Sequence, residues 1–453
     1  MGIQSALTYL AGFGNEHETE AVTGALPIGQ FNPQQHPLGL YTEQFSSTAF
    51  TCPRAKNRRS WFYRIRPSVL QSEFKPLPTS SPINQRISTS PDSNAYNTPN
   101  PLRWNPFDKP EANSDFIEGM TTLVTNGNAR LQTGIGIHLY HANQSMTQRY
   151  FYNADGELLI VPQQGEMLFY TECGVIAVSP GEIIVIPRGI KFRVDLIDKN
   201  ANGYICENYG SAFELPERGP IGANGLANSR DFYYPKAHYE DTDEKGELFC
   251  KFSGELFHAE IDHSPLNVVA WVGNSSPYKY DLANFNTINS VSYDHTDPSI
   301  FTVLTSPSNT TGVANVDFVI FPPRWSVTEK TFRPPWYHRN IMSEFMGLVR
   351  GTYDAKEKGF VPGAASLHNC MTAHGPDSDA FETACNKKLI PEKIENTLAF
   401  MFESCYAMQP TKLAMHSKHL QKDYQTCWSK LSKNFSEKDS KTSSSSSRAG
   451  KSS

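Results

Sequence analysis

The hydrophobic pattern is sharpest between residues 134 and 196, where short apolar runs alternate with turn residues. The runs are rich in Ile, Val, Phe and Tyr and lie at 135–140, 157–162, 167–171, 175–178, 183–186 and 192–196. Runs of this length and spacing predict the strands of a β-sandwich or barrel. A second set of predicted strands begins near Asn267, at 268–271, 301–304 and 318–321. The pattern therefore predicts a mainly β protein.

The rest of the chain is less regular. The first 110 or so residues are rich in Pro, Asn, Ser and Gly, with a predicted strand at 60–65 and an exposed insertion at 80–100. The apolar spacing from Thr411 to Leu431 predicts one amphipathic helix packed on the body. The segment from Lys438 to Ser453 is Ser- and Lys-rich with almost no apolar residue, which predicts a disordered tail.

The length of 453 residues exceeds that of a usual single domain, so two packed units are expected. We predict a first β-sandwich unit at residues 1–266 and a second unit, ending in the terminal helix, at residues 267–432. The tail then comprises residues 433–453.

The composition limits which binding partners and which cellular location are expected. A formal net charge of -5 argues against nucleic acid or an anionic membrane as a partner. The eight cysteines form no C-x-x-C pair, and no run is long enough to span a bilayer. A cytoplasmic location is the resulting expectation. No phosphate-binding loop, G-x-S-x-G elbow or H-E-x-x-H helix is present in the sequence.

Candidate chemistry is concentrated between residues 331 and 376, where His338, His368 and His374 lie beside Glu344. His338 and Glu344 are six residues apart, an even separation that places both on one face of an extended segment. His374 would arrive as a third ligand from a later strand or loop. Two imidazoles and one carboxylate form the facial triad of non-haem Fe(II) oxygenases, but catalytic zinc uses the same ligand types. The spacing does not choose between the metals, and ordinary structural histidines would give a similar cluster.

Residues 181–192 read Gly-Glu-Ile-Ile-Val-Ile-Pro-Arg-Gly-Ile-Lys-Phe. This segment resembles the second signature motif of cupin jelly rolls, in which a Gly, a short strand and a Pro-x-Gly turn lead to a metal-binding His. Phe192 occupies the position of that His. The resemblance implies two cupin-like jelly-roll or β-sandwich units with a few peripheral helices, of which the first binds no metal. The alternative is an ordinary Pro-Gly hairpin of a β protein.

Longer strings carry a more specific resemblance. Residues 332–347, which read FRPPWYHRNIMSEFMG, and residues 371–377, which read MTAHGPD, closely resemble the iron-binding segments of the homogentisate 1,2-dioxygenase family. The likeness continues at residues 9–16, 50–54 and 219–228. It therefore extends from about residue 8 to about residue 430 and leaves out only the tail.

This resemblance implies an Fe(II) enzyme that opens the ring of homogentisate with O₂ to give maleylacetoacetate, in tyrosine and phenylalanine catabolism. The family's iron ligands fall on His338, Glu344 and His374, and His374 would also contact the substrate. Its proposed base falls on His295, and its substrate-contacting tyrosine falls on Tyr353. The family further implies a homo-hexamer built as a dimer of trimers.

Several assignments keep an alternative. Arg333 is a candidate partner for the substrate carboxylate, but pairing with a structural acid is equally compatible with its position. His368 is expected to hydrogen-bond a ligand rather than to bind the metal, since three ligands complete the triad. Trp336 stands where a Tyr is expected, which would reshape the pocket wall. Two rival functions are an Fe(II) dioxygenase for a related acid such as gentisate, and a metal-free binding or storage protein.

Overall fold

Strands dominate the regular structure of the protein. The computed structural model describes residues 7–87, 89, 95–110, 112–219, 225–288, 292–294, 297–353 and 359–436. Among the described residues, strands account for 39% and helices for 9%, which confirms the prediction of a mainly β fold with few helices.

Most strands lie before residue 282. In chain order they are β1 (Tyr9–Ala11), β2 (His17–Glu20), β3 (Tyr41–Ser46), β4 (Arg59–Arg64), β5 (Lys75–Pro76), β6 (Leu102–Trp104), β7 (Met120–Thr125), β8 (Ile135–Ala142), β9 (Arg149–Asn153), β10 (Glu157–Gln164), β11 (Met167–Thr171), β12 (Gly174–Val178), β13 (Glu182–Ile186), β14 (Phe192–Leu196), β15 (Ala201–Asn208), β16 (Phe232–Pro235), β17 (Gly246–Phe252), β18 (Glu255–Ile261), β19 (Val268–Gly273) and β20 (Tyr278–Asp281).

The remaining strands follow residue 300. They are β21 (Thr302–Pro307), β22 (Ala314–Phe321), β23 (Arg324–Ser326), β24 (Ser343–Arg350), β25 (Ala365–His368), β26 (Glu392–Ile394), β27 (Leu398–Ser404) and β28 (Gln409–Pro410). Each predicted apolar run coincides with one of these strands to within a few residues. The α-helices are α1 (Pro82–Arg86), α2 (Ser378–Asn386) and α3 (Lys412–His416). Within the described part of the chain, no helix has the length and apolar character needed to cross a bilayer.

A nine-stranded sheet forms the central layer, in the order β1-β16-β20-β13-β10-β15-β8-β7-β28. Both of its faces are buried. In β10, Leu158 and Ile160 point into one apolar core, whereas Leu159 and Val161 point into the other. A strand buried on both faces has no polar side, which explains why this part of the sequence shows continuous apolar runs rather than alternation.

One face of the central sheet packs against a seven-stranded sheet, β12-β11-β14-β9-β17-β18-β5. Phe192 is fully buried between these two sheets. Its ring centroid lies 5.7 Å from that of Phe151, 6.1 Å from that of Phe169 and 6.2 Å from that of Phe116. The position of the cupin-motif histidine is thus taken by an aromatic core residue.

The other face of the central sheet packs against a six-stranded sheet, β21-β22-β27-β24-β25-β6. Phe318 of β22, Phe345 of β24 and Phe400 of β27 point into this shared core. Because side chains alternate along a strand, their neighbours point to the opposite face of the six-stranded sheet. That outer face carries the candidate metal centre.

The predicted division between residues 266 and 267 stays a prediction. Two strands that follow residue 266 pair with strands of the first unit: β19 pairs with β2 and β4, and β20 pairs with β13 and β16. The predicted tail at 433–453 lies largely outside the described residues.

The single amphipathic helix predicted from Thr411 to Leu431 is wrong. The chain forms the short α3, leaves the helical conformation at Ser417, and makes a separate 3-10 helix at Tyr424–Trp428. Between the two, the His419 carbonyl accepts from the Asn105 amide, and the Gln421 amide donates to the Arg103 carbonyl, at 2.8 Å each. Backbone bonding beside β6 replaces the helical hydrogen bonds that the apolar spacing suggested.

The exposed insertion predicted at residues 80–100 is also wrong for part of its length. Ile83 of α1 and Ile87 just after it are both buried, and they join the core between the nine- and seven-stranded sheets. Their spacing of four residues places them on one side of the helix. Two apolar residues among many polar ones are too few to predict a buried helix from the sequence.

Candidate metal centre

The three candidate ligands lie on two loop segments and one strand. His338 and His374 form an isolated antiparallel pair, in which the His338 amide donates to the His374 carbonyl at 2.9 Å and the His374 amide donates back at 3.1 Å. Glu344 is the second residue of β24, with β25 and β27 on either side. A bend at Ile341 and Met342 separates it from His338, so the segment is not extended throughout.

Backbone carbonyls fix the orientation of both imidazoles. The Nδ1–H of His338 donates to the Trp336 carbonyl at 2.7 Å, and the Nδ1–H of His374 donates to the Thr372 carbonyl at 2.9 Å. A carbonyl only accepts, so each Nδ1 carries a proton. A protonated ring then donates from Nε2 to Glu344, whereas a neutral ring offers the Nε2 lone pair to a metal. Both rings therefore present Nε2 to the carboxylate of Glu344.

The donor atoms converge on a volume that suits one metal ion. The Nε2 of His374 is 2.9 Å from Oε2 of Glu344, and the Nε2 of His338 is 3.6 Å from Oε1. All three ligand atoms lie within 4.8 Å of one another. Metal–ligand bonds of about 2.1 Å at octahedral or tetrahedral angles separate neighbouring donors by about 3.0–3.4 Å. Two imidazole nitrogens and one carboxylate at this spacing fit a single divalent transition metal.

The carboxylate of Glu344 is ionised in its buried position. Burial raises its pKa, but the hydrogen bonds and charges of the two imidazoles outweigh burial and lower the pKa to about 2. His374 is also buried, whereas the side chain of His338 is 30% exposed. His338 is therefore the most exposed of the three candidate ligands.

A cavity of about 440 Å³ lies over the ligands on the outer face of the six-stranded sheet. Its floor is made by alternate residues of β22, β24 and β27, and its walls by the loop segments that carry the histidines. Residues on this floor and these walls include Asp317, Phe321, Trp336, Arg339, Met346, Met401 and Glu403. Cavities of this size with a few polar groups are typical of small-molecule sites.

Tyr353 and His368 both lie at this cavity. Tyr353 is 7% exposed and meets Phe321 edge to face, with ring centroids 5.5 Å apart. The ring of His368 stacks on that of His374 at 4.0 Å, and its Nε2 bonds the hydroxyl of Tyr424 at 2.8 Å. His368 therefore contacts a candidate ligand through its ring face, and the roles predicted for both residues stay predictions.

The proposed base, His295, lies outside the described residues. On its carboxyl side, Asp297 caps the 3-10 helix Pro298–Phe301 by accepting from the Ser299 amide at 2.9 Å. Asp297, Pro298 and Ser299 line the cavity.

Arg333 is not brought to the cavity. Its guanidinium donates to the backbone carbonyl of Thr328 at 3.1 Å and to that of Ile390 at 2.7 Å. Among the described residues that line the cavity, Arg339 is the arginine. The sequence offered no means of choosing between the two, because both arginines lie close to His338.

Two acids of the cavity floor were also missed. Asp317 and Glu403 occur in mainly apolar strands, and a half-buried acid in such a strand is uncommon. The presence of an acid in each of these strands was therefore the sequence feature that could have indicated the two residues. Burial raises the pKa of Asp317, and burial together with the charge of Glu344 raises the pKa of Glu403 to about 7.

Comparison with known proteins gives matches along nearly the whole chain. The family model described as homogentisate 1,2-dioxygenase N-terminal matches residues 8–282, and the corresponding C-terminal model matches residues 283–435. Similar solved structures include a mutant oxalate decarboxylase from Bacillus subtilis, at 14% identity over 76% of this chain and 90% of that one, with a TM-score of 0.30. A cupin 2 conserved barrel domain protein from Leptotrichia buccalis is 9% identical over 63% of this chain and 88% of its own, with a TM-score of 0.27.

Proposed function

The chain belongs to the homogentisate 1,2-dioxygenase family, and on that basis we propose that it uses one Fe(II) ion to open the ring of homogentisate with O₂. The proposed product is maleylacetoacetate, an intermediate of tyrosine and phenylalanine catabolism. The observation that carries this proposal is the convergence of His338, Glu344 and His374 at the floor of a substrate-sized cavity.

The donor set supports Fe(II) as the metal. Two neutral imidazoles and one carboxylate on one side of an ion make the facial triad typical of non-haem Fe(II) oxygenases. When bound, Fe(II) would supply a redox-active centre with open positions for substrate and O₂. The protein supplies the orientation: both imidazoles are held by backbone carbonyls, and the carboxylate is held on a strand bonded on both sides.

The remaining cavity residues have distinct proposed roles. The buried Tyr353 is proposed to contact the substrate, together with the face of His374 that lines the cavity. Phe321, Met346 and Met401 give the aromatic ring an apolar surface on the cavity floor. His295 is proposed to remove a proton from a phenolic hydroxyl, which makes the ring more electron-rich and prepares it for oxidation.

We propose Arg339, rather than Arg333, as the partner of the substrate carboxylate. Arg339 is exposed and lines the cavity, and it stands between His338 and Asn340 in the sequence. Its planar guanidinium can donate two parallel hydrogen bonds to a carboxylate. Among the described residues, the charged side chains of the floor besides Glu344 are the acids Asp317 and Glu403, so an anionic arm would be repelled there and favoured beside Arg339.

The test is O₂ uptake with homogentisate by protein loaded anaerobically with Fe(II), while the absorbance of the opened product is followed. Glu344→Ala removes a proposed ligand, and Glu382→Ala removes an exposed acid on α2 as the matched control. The proposal requires uptake that needs both Fe(II) and Glu344 and is retained in the control. Turnover of gentisate with none of homogentisate would refute it.

We further propose a cytoplasmic homo-hexamer, arranged as a dimer of trimers. Sedimentation equilibrium of the full chain tests the assembly, since a hexamer has six times the chain mass of 50.7 kDa. A monomer or dimer at micromolar concentration would contradict it.

A further inference from the structure

Three acids stand side by side on the outer face of the six-stranded sheet. Glu403 of β27 is the direct cross-strand partner of Glu344 in β24 on one side and of Asp317 in β22 on the other. Directly opposed residues in antiparallel strands have Cβ atoms about 4.5–5.5 Å apart. Like charges at that spacing repel, so the row needs a polar group to hold it together.

Asn340 supplies that group between Glu344 and Glu403. Its Nδ2 donates to Oε1 of Glu344 at 3.1 Å and also to Oε1 of Glu403. Its Oδ1 accepts from the Met342 amide at 3.0 Å. The amide can take only one orientation here, because both N–H donors meet carboxylates and the oxygen meets an amide donor.

The backbone of Asn340 is tied to the second histidine segment as well. Its carbonyl accepts from the Met371 amide at 2.7 Å, three residues before His374. One residue thus joins the ligand carboxylate, the neighbouring acid and the loop of the other ligand. A substitution at Asn340 should therefore alter the positions of the proposed metal ligands.

We propose that Asn340 and Glu403 are positioning residues that hold the carboxylate of Glu344 in the rotamer required for metal binding. This inference rests on the proposed function, because it takes Glu344 as a metal ligand. Asn340 holds Oε1 of Glu344 directly, and Glu403 holds the second N–H of Asn340. Without Glu403, the amide can turn and release Glu344. Hydrogen-bond partners of metal ligands commonly change metal affinity by about 10–100-fold when they are removed.

The test is anaerobic titration of the full chain with Fe(II) and, separately, with Co(II), whose visible absorption reports ligand geometry. The variants are Asn340→Ala, Asn340→Asp, Glu403→Ala and Glu403→Gln. Glu403→Gln keeps an oxygen that can accept from Asn340 but removes the charge. Asn386→Asp, at an exposed position on α2, is the control for introducing one negative charge. Thermal unfolding checks that each variant is folded.

We expect both Asn340 variants and Glu403→Ala to weaken metal binding about 10–100-fold and to alter the Co(II) spectrum. Glu403→Gln should stay within about threefold of the parent, because the hydrogen bond is the essential feature. Folded Asn340→Ala with parent affinity and spectrum overturns the inference, as does equal loss in Glu403→Gln and Glu403→Ala, which would indicate charge.

The same titration separates this inference from the proposed function. If the variants weaken metal binding as expected but the parent does not consume O₂ with homogentisate, the positioning role stands and the proposed reaction falls. If the parent is active and the variants bind metal normally, only the positioning role falls. A parent chain that binds neither metal overturns the positioning role.

Discussion

Replacing Gly375 with alanine should disturb the metal site although Gly375 is not a ligand. Gly375 follows His374 and lines the cavity. A Cβ atom there would lie 2.6 Å from Cδ1 and 2.9 Å from Cα of Tyr337. Favourable contacts between carbon atoms are about 3.5–4.0 Å long, so the two segments must separate by about 1 Å.

This separation should displace the proposed ligands, because Tyr337 directly precedes His338 and Gly375 directly follows His374. His338 and His374 exchange two backbone hydrogen bonds, so neither segment can move without the other ligand being affected. A displacement of about 1 Å in a catalytic arrangement costs about 100-fold in rate. Overpacking of this kind costs about 1–3 kcal/mol in stability, which leaves the variant folded.

The assay compares O₂ uptake, bound iron and thermal unfolding of Gly375→Ala with those of Gly312→Ala. Gly312 has a φ of +78°, and a Cβ there would meet no atom within 4 Å. The control therefore carries backbone strain of about 1 kcal/mol without a clash. Gly375→Ala with unchanged turnover and iron content would refute the steric argument.

Three further outcomes are expected. Lys251→Met should lower the free energy of unfolding in urea by about 3–5 kcal/mol. The Lys251 ammonium lies 2.7 Å from the carboxylate of Asp155 and 2.6 Å from that of Glu207, and the substitution leaves both buried carboxylates without this cation. A loss below about 1 kcal/mol would contradict this. Burial raises the pKa of Glu157 to about 7 from 4.5, so the folded state binds more protons between those values. Ionisation of Glu157 should then lower stability by up to about 3 kcal/mol as the pH rises from about 4.5 to 7, and Glu157→Gln should remove this contribution from the pH dependence of thermal melts. Arg339→Gln should raise the KM for homogentisate about 10–100-fold, since a charge-assisted hydrogen bond contributes about 1.5–3 kcal/mol. Arg333→Gln should leave KM within about twofold, and the reverse result would restore the assignment made from the sequence.

The strands could be predicted because the central sheet is buried on both faces. Such strands are apolar at consecutive positions, and turn residues mark their ends, as in β10 and β13. The interruption of the helix predicted from Thr411 to Leu431 could not be inferred from the sequence. The apolar spacing is present, but the chain around His419 bonds to the backbone beside β6, and this depends on the tertiary fold.

The site was predicted as a set of residues and not as a geometry. His338 and Glu344 were expected on one extended face, whereas a bend separates them and the fold brings them together. The backbone pairing of His338 with His374 joins segments far apart in sequence, so no spacing rule contains it. Asp317 and Glu403 could have been predicted as site residues, since a single acid in a mainly apolar strand is uncommon.

The three proposed ligands are held in place by different parts of the structure, so substitutions near them should have different effects. Glu344 lies on β24, which is bonded along its length to β25 and β27, so its backbone is a fixed reference. The two histidines lie on loop segments that are held by each other and by the carbonyls of Trp336 and Thr372. Changes in the loops should therefore reduce metal affinity before they reduce stability, whereas changes in β24 should reduce both. A strand fixes one donor, and a metal bound at this site would link the two loop donors to it, which would couple occupancy of the site to the order of the cavity wall.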